Sequence, residues 1–266
     1  MEDSFTTAET RIPALAEARV PTLAETRVLP MEGIRNVREL GGCPVTVEGK
    51  QKQVKWGLIY RSEGPAGMTA VDQTILESRN IKTVVDFRAA EEKSVLFNLR
   101  GARLVELPID AGNLMGTTSN TGEWLYNANA EGAAAEMRRL YTALTAEAIP
   151  RYREFFALLA DSANMPVLFH CSAGKDRTGM AAALLLYALG ASQETIIADY
   201  MISAELLRQY SEPYIKTKPQ IVPYMTVRED YLAEAFKAIE AMGGLDKYIT
   251  KDLGADRGHL RKLYTE

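Results

Sequence analysis

Apolar, β-branched and aromatic side chains bunch into four short runs, at residues 54–61, 82–87, 103–109 and 166–170. Runs of this length and composition predict strands, and Pro166-Val167-Leu168-Phe169-His170 reads as one buried on both faces. Between and after these runs the period changes to three and four. Tyr152, Phe155, Phe156 and Leu159 fall on one stripe of a helix over 150–160, with Pro150 in its first turn. Further helices are predicted over 69–78, over 133–144, from a cap at Ser192 to about residue 207, and over 229–242. Two short helices close the chain after Gly243-Gly244. The helix over 178–190 is apolar nearly all round and stops at Gly190, which marks a central, buried helix. Strands alternating with helices predict an α/β fold, a central mostly parallel sheet flanked by helices.

Two stretches fall outside this alternation. Residues 8–31 carry a degenerate eight-residue repeat whose third copy is Ala24-Glu25-Thr26-Arg27-Val28-Leu29-Pro30-Met31. Prolines at that frequency exclude a regular helix. Residues 1–31 are therefore expected as an extended arm, either paired along a sheet edge or loose, ahead of a domain over 32–266. Residues 111–147 begin rich in Gly, Asn and Thr yet carry Leu114, Met115, Trp124, Leu125 and Tyr126, and end in the helix over 133–144. Such an insertion is either a helical lid that shields a pocket or a loop packed permanently on the body. Pro213, Pro219 and Pro223 break the segment after residue 207.

Composition narrows the function classes. With 266 residues the chain has enough length for a substantial core, and 47% hydrophobic with 25% charged residues is an ordinary globular balance. A net charge of −4 argues against a nucleic-acid partner and gives no general attraction to anionic membranes. No apolar stretch reaches membrane-spanning length and the N-terminus lacks the basic and apolar regions of a signal peptide. A cytoplasmic location, or export without a recognisable signal, is the expectation. The two cysteines, Cys43 and Cys171, do not make a disulfide framework. Cys43 reads as a buried filler beside Gly41 and Gly42, or else as a partner that protects Cys171. With His170 and His259 as the only histidines, a histidine-rich metal site is excluded, and no cofactor is expected.

The chemistry concentrates in His170-Cys171-Ser172-Ala173-Gly174-Lys175-Asp176-Arg177-Thr178-Gly179, between a buried strand and a buried helix. Backbone N–H groups in such a turn converge on one point, and the helix start adds unpaired donors and the positive end of its dipole. Ser172, Ala173, Gly174, Lys175, Thr178 and Gly179 thus become candidate phosphate-binding positions. The same surroundings favour the thiolate of a cysteine at the mouth of the turn, the reactive form of that side chain. Arg177 supplies a planar fork matched to two phosphate oxygens. Gly174 permits a positive φ or a close backbone approach. Thr178 is placed to donate its hydroxyl to the sulfur. The run is not a nucleotide-binding Walker loop, since Asp176 follows Lys175 where Ser or Thr is required.

At these residues the chain resembles the cysteine-dependent protein tyrosine phosphatase superfamily, whose signature is His-Cys-x5-Arg-Ser/Thr. More narrowly it is similar to the bacterial tyrosine/serine and phosphoinositide phosphatases. Asn36-Val37-Arg38-Glu39-Leu40-Gly41-Gly42, Leu58-Ile59-Tyr60-Arg61-Ser62 and Val84-Val85-Asp86-Phe87-Arg88 resemble further segments of that family. The resemblance spans about residues 32 to 266. It implies a tyrosine-phosphatase-like fold and a cysteinyl-phosphate intermediate on Cys171.

Members with a separate Trp-Pro-Asp loop take their proton donor from it, but the tryptophans here are Trp56 and Trp124 and neither precedes Pro-Asp. The narrower resemblance implies Asp176 as the acid. The alternative for Asp176 is a loop-bracing carboxylate paired with Lys175 or Arg177, and Asp110 is the reserve acid. Asp86 is expected to brace the loop or a positioning arginine, Arg61 to support the site, and His170 to hydrogen-bond loop backbone rather than act as a base. The expected activity is phosphomonoester hydrolysis without a metal, on phosphotyrosine proteins with added dual-specificity or phosphoinositide activity. Hydrolysis of an inositol phosphate or other small phosphometabolite, and non-catalytic phosphate recognition, are the rival readings. The sequence leaves the oligomeric state open.

Overall fold

A five-stranded sheet in the order β1 (Arg38–Glu39), β4 (Ile59–Ser62), β7 (Val167–His170), β5 (Thr83–Asp86), β6 (Arg103–Glu106) forms the centre of the molecule. The computed structural model describes Thr22, residues 26–111 and residues 129–266. β4, β7, β5 and β6 run parallel, and β1 is added antiparallel at the β4 edge. The mostly parallel α/β arrangement expected from the alternation of periods is therefore what the chain adopts. A separate hairpin pairs β2 (Pro44–Val47) with β3 (Lys50–Gln53).

Side chains alternate across the sheet because successive residues of a strand point to opposite faces. Tyr60, Val84 and Leu168 pack on one face with Leu29, Ile34 and Leu76, the last from helix α1 (Ala70–Ser78). Ile59, Val85, Val167 and Phe169 enter the larger core on the other face. There they meet α2 (Ala130–Glu147), α3 (Ile149–Leu159) and α4 (Arg177–Leu189), followed by α5 (Gln193–Leu206), α6 (Glu229–Ala241) and α7 (Arg257–Tyr264). Met180, Leu184, Leu185, Leu186 and Leu189 of α4 are all fully buried. At roughly 1.5–3 kcal/mol per such side chain, this helix is a principal anchor of the fold. It ends at Gly190, in the left-handed conformation, where a Cβ would lie 2.3 Å from the Thr46 carbonyl oxygen.

Ser192 caps α5 with its side chain, as the sequence suggests, and Thr69, expected inside its helix, instead caps α1. Other boundaries moved. The strand expected over 54–61 is confined to β4, because Gly57 at φ +77° breaks the extended run. β1, β2 and β3 were not anticipated. β1 and β3 are polar, and the turn between β2 and β3 is set by positive φ at Glu48 and Gly49, the conformation tight hairpins need. The helix expected over 133–144 starts earlier, with Asn129 accepting the Gly132 N–H. Its stripe of Ala134, Met137, Leu140, Tyr141 and Leu144 belongs to the main core, so this half of the insertion is part of the body.

The other half, residues 112–128 with Trp124, lies outside the described residues, as do 1–21 and 23–25 of the arm. At the end of the arm, Val28 bridges to Arg38 on the β1 edge and Leu29 donates to the Val37 carbonyl. No described helix is long and apolar enough to cross a membrane.

Candidate active site

The parallel register places Ser62, His170 and Asp86 side by side at the carboxyl end of the sheet. Open α/β sheets bind ligands at this end. β7 delivers Cys171 there, and α4 begins six residues later at Arg177. The intervening turn is held from outside by its carbonyls. Gly64 N–H donates to Ser172 O at 2.9 Å. Asn36 Nδ2 donates to Ala173 O at 3.1 Å and Gly174 O at 2.9 Å, and Arg61 Nη2 also reaches Gly174 O at 2.9 Å. In a trans peptide unit the N–H points away from its C=O. Pinning three successive carbonyls outward therefore turns the N–H groups of Ala173, Gly174 and Lys175 inward. Gly174 has φ +66°, and a Cβ there would fall 2.3 Å from the Ser62 carbonyl oxygen, so both its conformation and its surroundings demand glycine.

Behind the turn lies a buried ionic hub. The Asp199 carboxylate, on α5, meets Arg61 Nη1 at 2.8 Å, Arg27 Nη1 at 2.8 Å and Arg38 Nε at 3.2 Å. Burial raises the cost of its charge, but the three guanidinium groups outweigh that and hold Asp199 far below the usual carboxylate range. Burial and the nearby Arg61 lower Arg38 to about 9. Arg38 Nη1 also donates to Asn36 Oδ1 at 2.5 Å, fixing the amide that grips the turn. Arg27 donates to Cys43 Sγ at 2.9 Å, and burial pushes the Cys43 thiol up to about 12. Cys43 is thus a buried filler against the hub, and both cysteines are free thiols.

The Arg177 guanidinium is fixed from three sides. Nη1 donates to the carbonyls of Ile109 at 2.9 Å and Phe87 at 3.3 Å, just beyond the ends of β6 and β5. Glu92 grips Nη1 and Nη2 at 2.6 Å each, and its Oε1 accepts from Ser172 Oγ at 2.5 Å. Glu92 is in turn held by the Ala89 N–H at 2.8 Å. Burial works against its charge, but Arg177 prevails and brings Glu92 down to about 2. Burial likewise opposes the Arg177 charge, and the Glu92 bonds with the Cys171 charge carry that residue well above its ordinary value. A cleft of about 210 Å³ beside the turn is lined by Arg35, Glu63, Arg88, Glu92, Ser94 and Ser172, among others. A larger groove of about 440 Å³, lined by Ile215, Pro219 and Val222, shares no residue with the turn.

Asp176 faces another way. Its carboxylate accepts from Lys175 Nζ at 2.9 and 2.7 Å and from Tyr141 Oη at 2.9 Å. The pairing with Lys175 is the bracing contact the sequence left open, and it does not extend to Arg177. Asp86 makes a two-pronged pair with Arg88, at 2.8 Å through Nη2, and so braces an arginine as expected. Exposed Asp110 follows Ile109, whose carbonyl holds Arg177. Thr178 Oγ1 is buried without a partner, so the anticipated hydroxyl–sulfur bond is not made. Gly179 instead admits the Tyr200 ring, 3.1 Å from where its Cβ would sit.

His170 Nδ1 lies 3.1 Å from the Cys171 carbonyl oxygen, the backbone contact the sequence suggested. Its Nε2 is 3.7 Å from Asp86. Burial pulls the imidazole down from 6.5 to about 4, only partly opposed by Asp86. Because the folded value lies below the unfolded one, the unfolded chain takes up a proton first as the pH falls. The stability contributed by neutral His170 is complete above 6.5 and drains away down to about 4. Urea titrations of wild type and His170→Asn should therefore diverge across that window, the wild type losing about 3 kcal/mol more. Parallel curves would show that the ring is not buried neutral.

Glu92, Asp199, Tyr141 and Tyr200 were not singled out from the sequence, and Asn36 was noted only within the segment that resembles the family, with no role assigned. Asp199 had a readable signal, a lone carboxylate within Ile196-Ile197-Ala198-Asp199-Tyr200-Met201-Ile202. The others reach the turn only through the fold.

A family model described as the tyrosine phosphatase family matches residues 29–266. A Cupriavidus necator protein named as a tyrosine-protein phosphatase is 33% identical over 248 residues, 89% of this chain and 88% of its own. A Mycobacterium tuberculosis protein named triple specificity protein phosphatase PtpB is 32% identical over 123 residues, 38% of this chain and 44% of its own. Among solved structures, P. aeruginosa TpbA bound to phosphotyrosine is 17% identical and covers 83% of this chain and 94% of its own, at a TM-score of 0.34. That overlap is too low to carry an argument.

Proposed function

Since the chain belongs to the tyrosine phosphatase family, we propose that it hydrolyses phosphate monoesters of proteins, phosphotyrosine foremost, through a cysteinyl-phosphate on Cys171. The observation that carries this reading is the turn of inward N–H groups between Cys171 and an immobilised Arg177. A phosphate dianion seated there meets backbone donors, the fork of Arg177 and the positive end of α4, all fixed before it arrives.

The Cys171 thiolate attacks phosphorus, the S–P bond forms and the P–O bond to the leaving group breaks. The electron pair left on that oxygen takes a proton from Asp176. Water then attacks phosphorus, gives a proton to the Asp176 carboxylate, and the S–P bond breaks to release inorganic phosphate and regenerate the thiolate. His170 takes no part, because its Nδ1 faces the Cys171 carbonyl and its Nε2 faces Asp86. Glu92 holds Arg177 square to the turn and Ser172 to Glu92. The triple specificity named for the mycobacterial relative, together with Lys175 in the turn, supports extension of the substrate range to phosphoserine, phosphothreonine and phosphoinositides.

Turnover of p-nitrophenyl phosphate with chelator present tests the reaction, and a phosphotyrosine peptide, a phosphoserine peptide and a phosphoinositide assayed side by side test the range. Asp176→Ala should slow aryl phosphates with poor leaving groups by about 100-fold and activated ones by only a few-fold, the span of general acid catalysis. Equal slowing of both classes would move the acid to Asp110 or elsewhere.

A further inference from the structure

Asp176 stands directly before α4, where an aspartate ordinarily turns its side chain back onto the helix N–H groups. Here it makes no such bond, and its backbone is helical at φ −85° and ψ −75°. The carboxylate is drawn toward α2 instead, where Tyr141 Oη donates to Oδ1 at 2.9 Å. Tyr200, on α5, donates its own hydroxyl to Tyr141 Oη at 2.6 Å. Both tyrosines are fully buried, their rings meeting edge to face with centroids 6.1 Å apart. Tyr231 of α6 packs on the far side of Tyr141, centroids 5.9 Å apart.

A hydroxyl carries one proton, so the direction of this chain is fixed. Tyr141 accepts from Tyr200, and its own proton has Asp176 as its acceptor. Burial and the Asp176 charge raise Tyr141 well above the ordinary tyrosine value, and burial does the same for Tyr200, so both stay protonated. Packing alone needs neither hydroxyl, since phenylalanine would fill the same space without a polar group to satisfy.

We propose that Tyr141, backed by Tyr200, is a positioning residue that makes Asp176 a one-sided acid: with Oδ1 committed as an acceptor, the transferable proton is carried by Oδ2. This rests on the reading of Asp176 as the proton donor. Lys175, which spans both oxygens at 2.9 and 2.7 Å, is the contact that must yield when that proton is in place. The incoming phosphate offers its ammonium a competing partner. Tyr141 touches neither substrate nor phosphorus in this scheme and acts only through the carboxyl group.

Three single variants and one double variant decide the matter, each assayed on aryl phosphates of graded leaving-group strength. Tyr141→Phe should lower kcat on the poorest leaving groups by about tenfold, the scale of one lost hydrogen bond to a charged group. Its effect on the most activated ester should stay within about twofold, with KM unchanged. Tyr200→Phe should give the same pattern more weakly, and it carries the test alone should Tyr141→Phe fail to fold. In the Asp176→Ala background, adding Tyr141→Phe should cost nothing further. Uniform slowing across all esters, or losses that add to those of Asp176→Ala, overturn the proposal and leave the hydroxyls a structural role. The remaining single variant, Asp176→Ala, separates the two failures. If it too slows all esters equally the acid reading itself falls, and if it slows the poor leaving groups selectively only the Tyr141 proposal falls.

Discussion

Cys171→Ser is expected to lower p-nitrophenyl phosphate turnover by at least about 10⁴-fold while leaving the affinity for inorganic phosphate within about threefold. A serine hydroxyl must lose its proton before it can attack, and in that step Asp176 must already hold the proton meant for the leaving group. The neighbouring histidine is engaged with backbone on one nitrogen and faces Asp86 with the other, and burial lowers it to about 4. The binding elements are untouched by the change. Backbone N–H groups and the Arg177 fork do not depend on the sulfur for their position, since Asn36, Arg61, Glu92 and two strand-end carbonyls hold them. Phosphate binding followed by calorimetry, beside the turnover assay, therefore separates catalysis from recognition. An unchanged turnover rate in the serine variant sinks the mechanism, and a wild type that binds phosphate without hydrolysing esters would favour a recognition module.

Asp199→Ala should be the most destabilising single substitution near the site, at about 3–5 kcal/mol, the range for breaking a buried ion pair by removing one partner. The reason is numerical imbalance. One carboxylate is the shared partner of Arg27, Arg38 and Arg61, all buried, and removing it leaves three guanidinium groups to be held by carbonyls, an amide, a hydroxyl and a thiol. Thermal unfolding should begin roughly 10 °C lower. The protein that remains folded should also bind phosphate less tightly, because Arg61 loses the anchor from which it grips Gly174. Asp199→Asn keeps the shape and some hydrogen bonds without the charge, and should fall between. A melt of Asp199→Ala within a degree of wild type would mean that the arginines find water or one another at little cost.

The site divides sharply by how far apart its parts lie in the chain. The candidate nucleophile, anion fork and acid sit within seven consecutive residues; spacing nominated Cys171 and Arg177, and the family resemblance added Asp176. Some of their supports were out of reach of any local pattern. Glu92 meets Arg177 across 85 residues and Tyr141 meets Asp176 across 35, contacts that only the folded chain makes. Asp86 and His170 were assigned bracing roles from strand ends, and the bonds they make fit those roles because a strand end fixes direction as well as position. Thr178 shows the converse. Its place beside the turn suggested a bond to sulfur, yet a hydroxyl on the first turn of α4 faces where the helix turns it, and Oγ1 finds no acceptor. The buried strands and helices were legible from apolar periodicity, whereas β1, β3 and the hairpin turn are polar and owe their form to pairing and to positive φ at Glu48 and Gly49.

The hub behind the turn also bears on how an acidic protein draws in a dianion. Three guanidinium charges against one carboxylate leave a surplus of positive charge sealed beneath the phosphate seat, in a chain whose net charge is −4. Charges so deeply enclosed are screened far less by counter-ions than charges on the surface. Salt should therefore weaken phosphate binding at the turn less than it would weaken binding to an exposed lysine patch, which a titration of phosphate affinity against ionic strength would read.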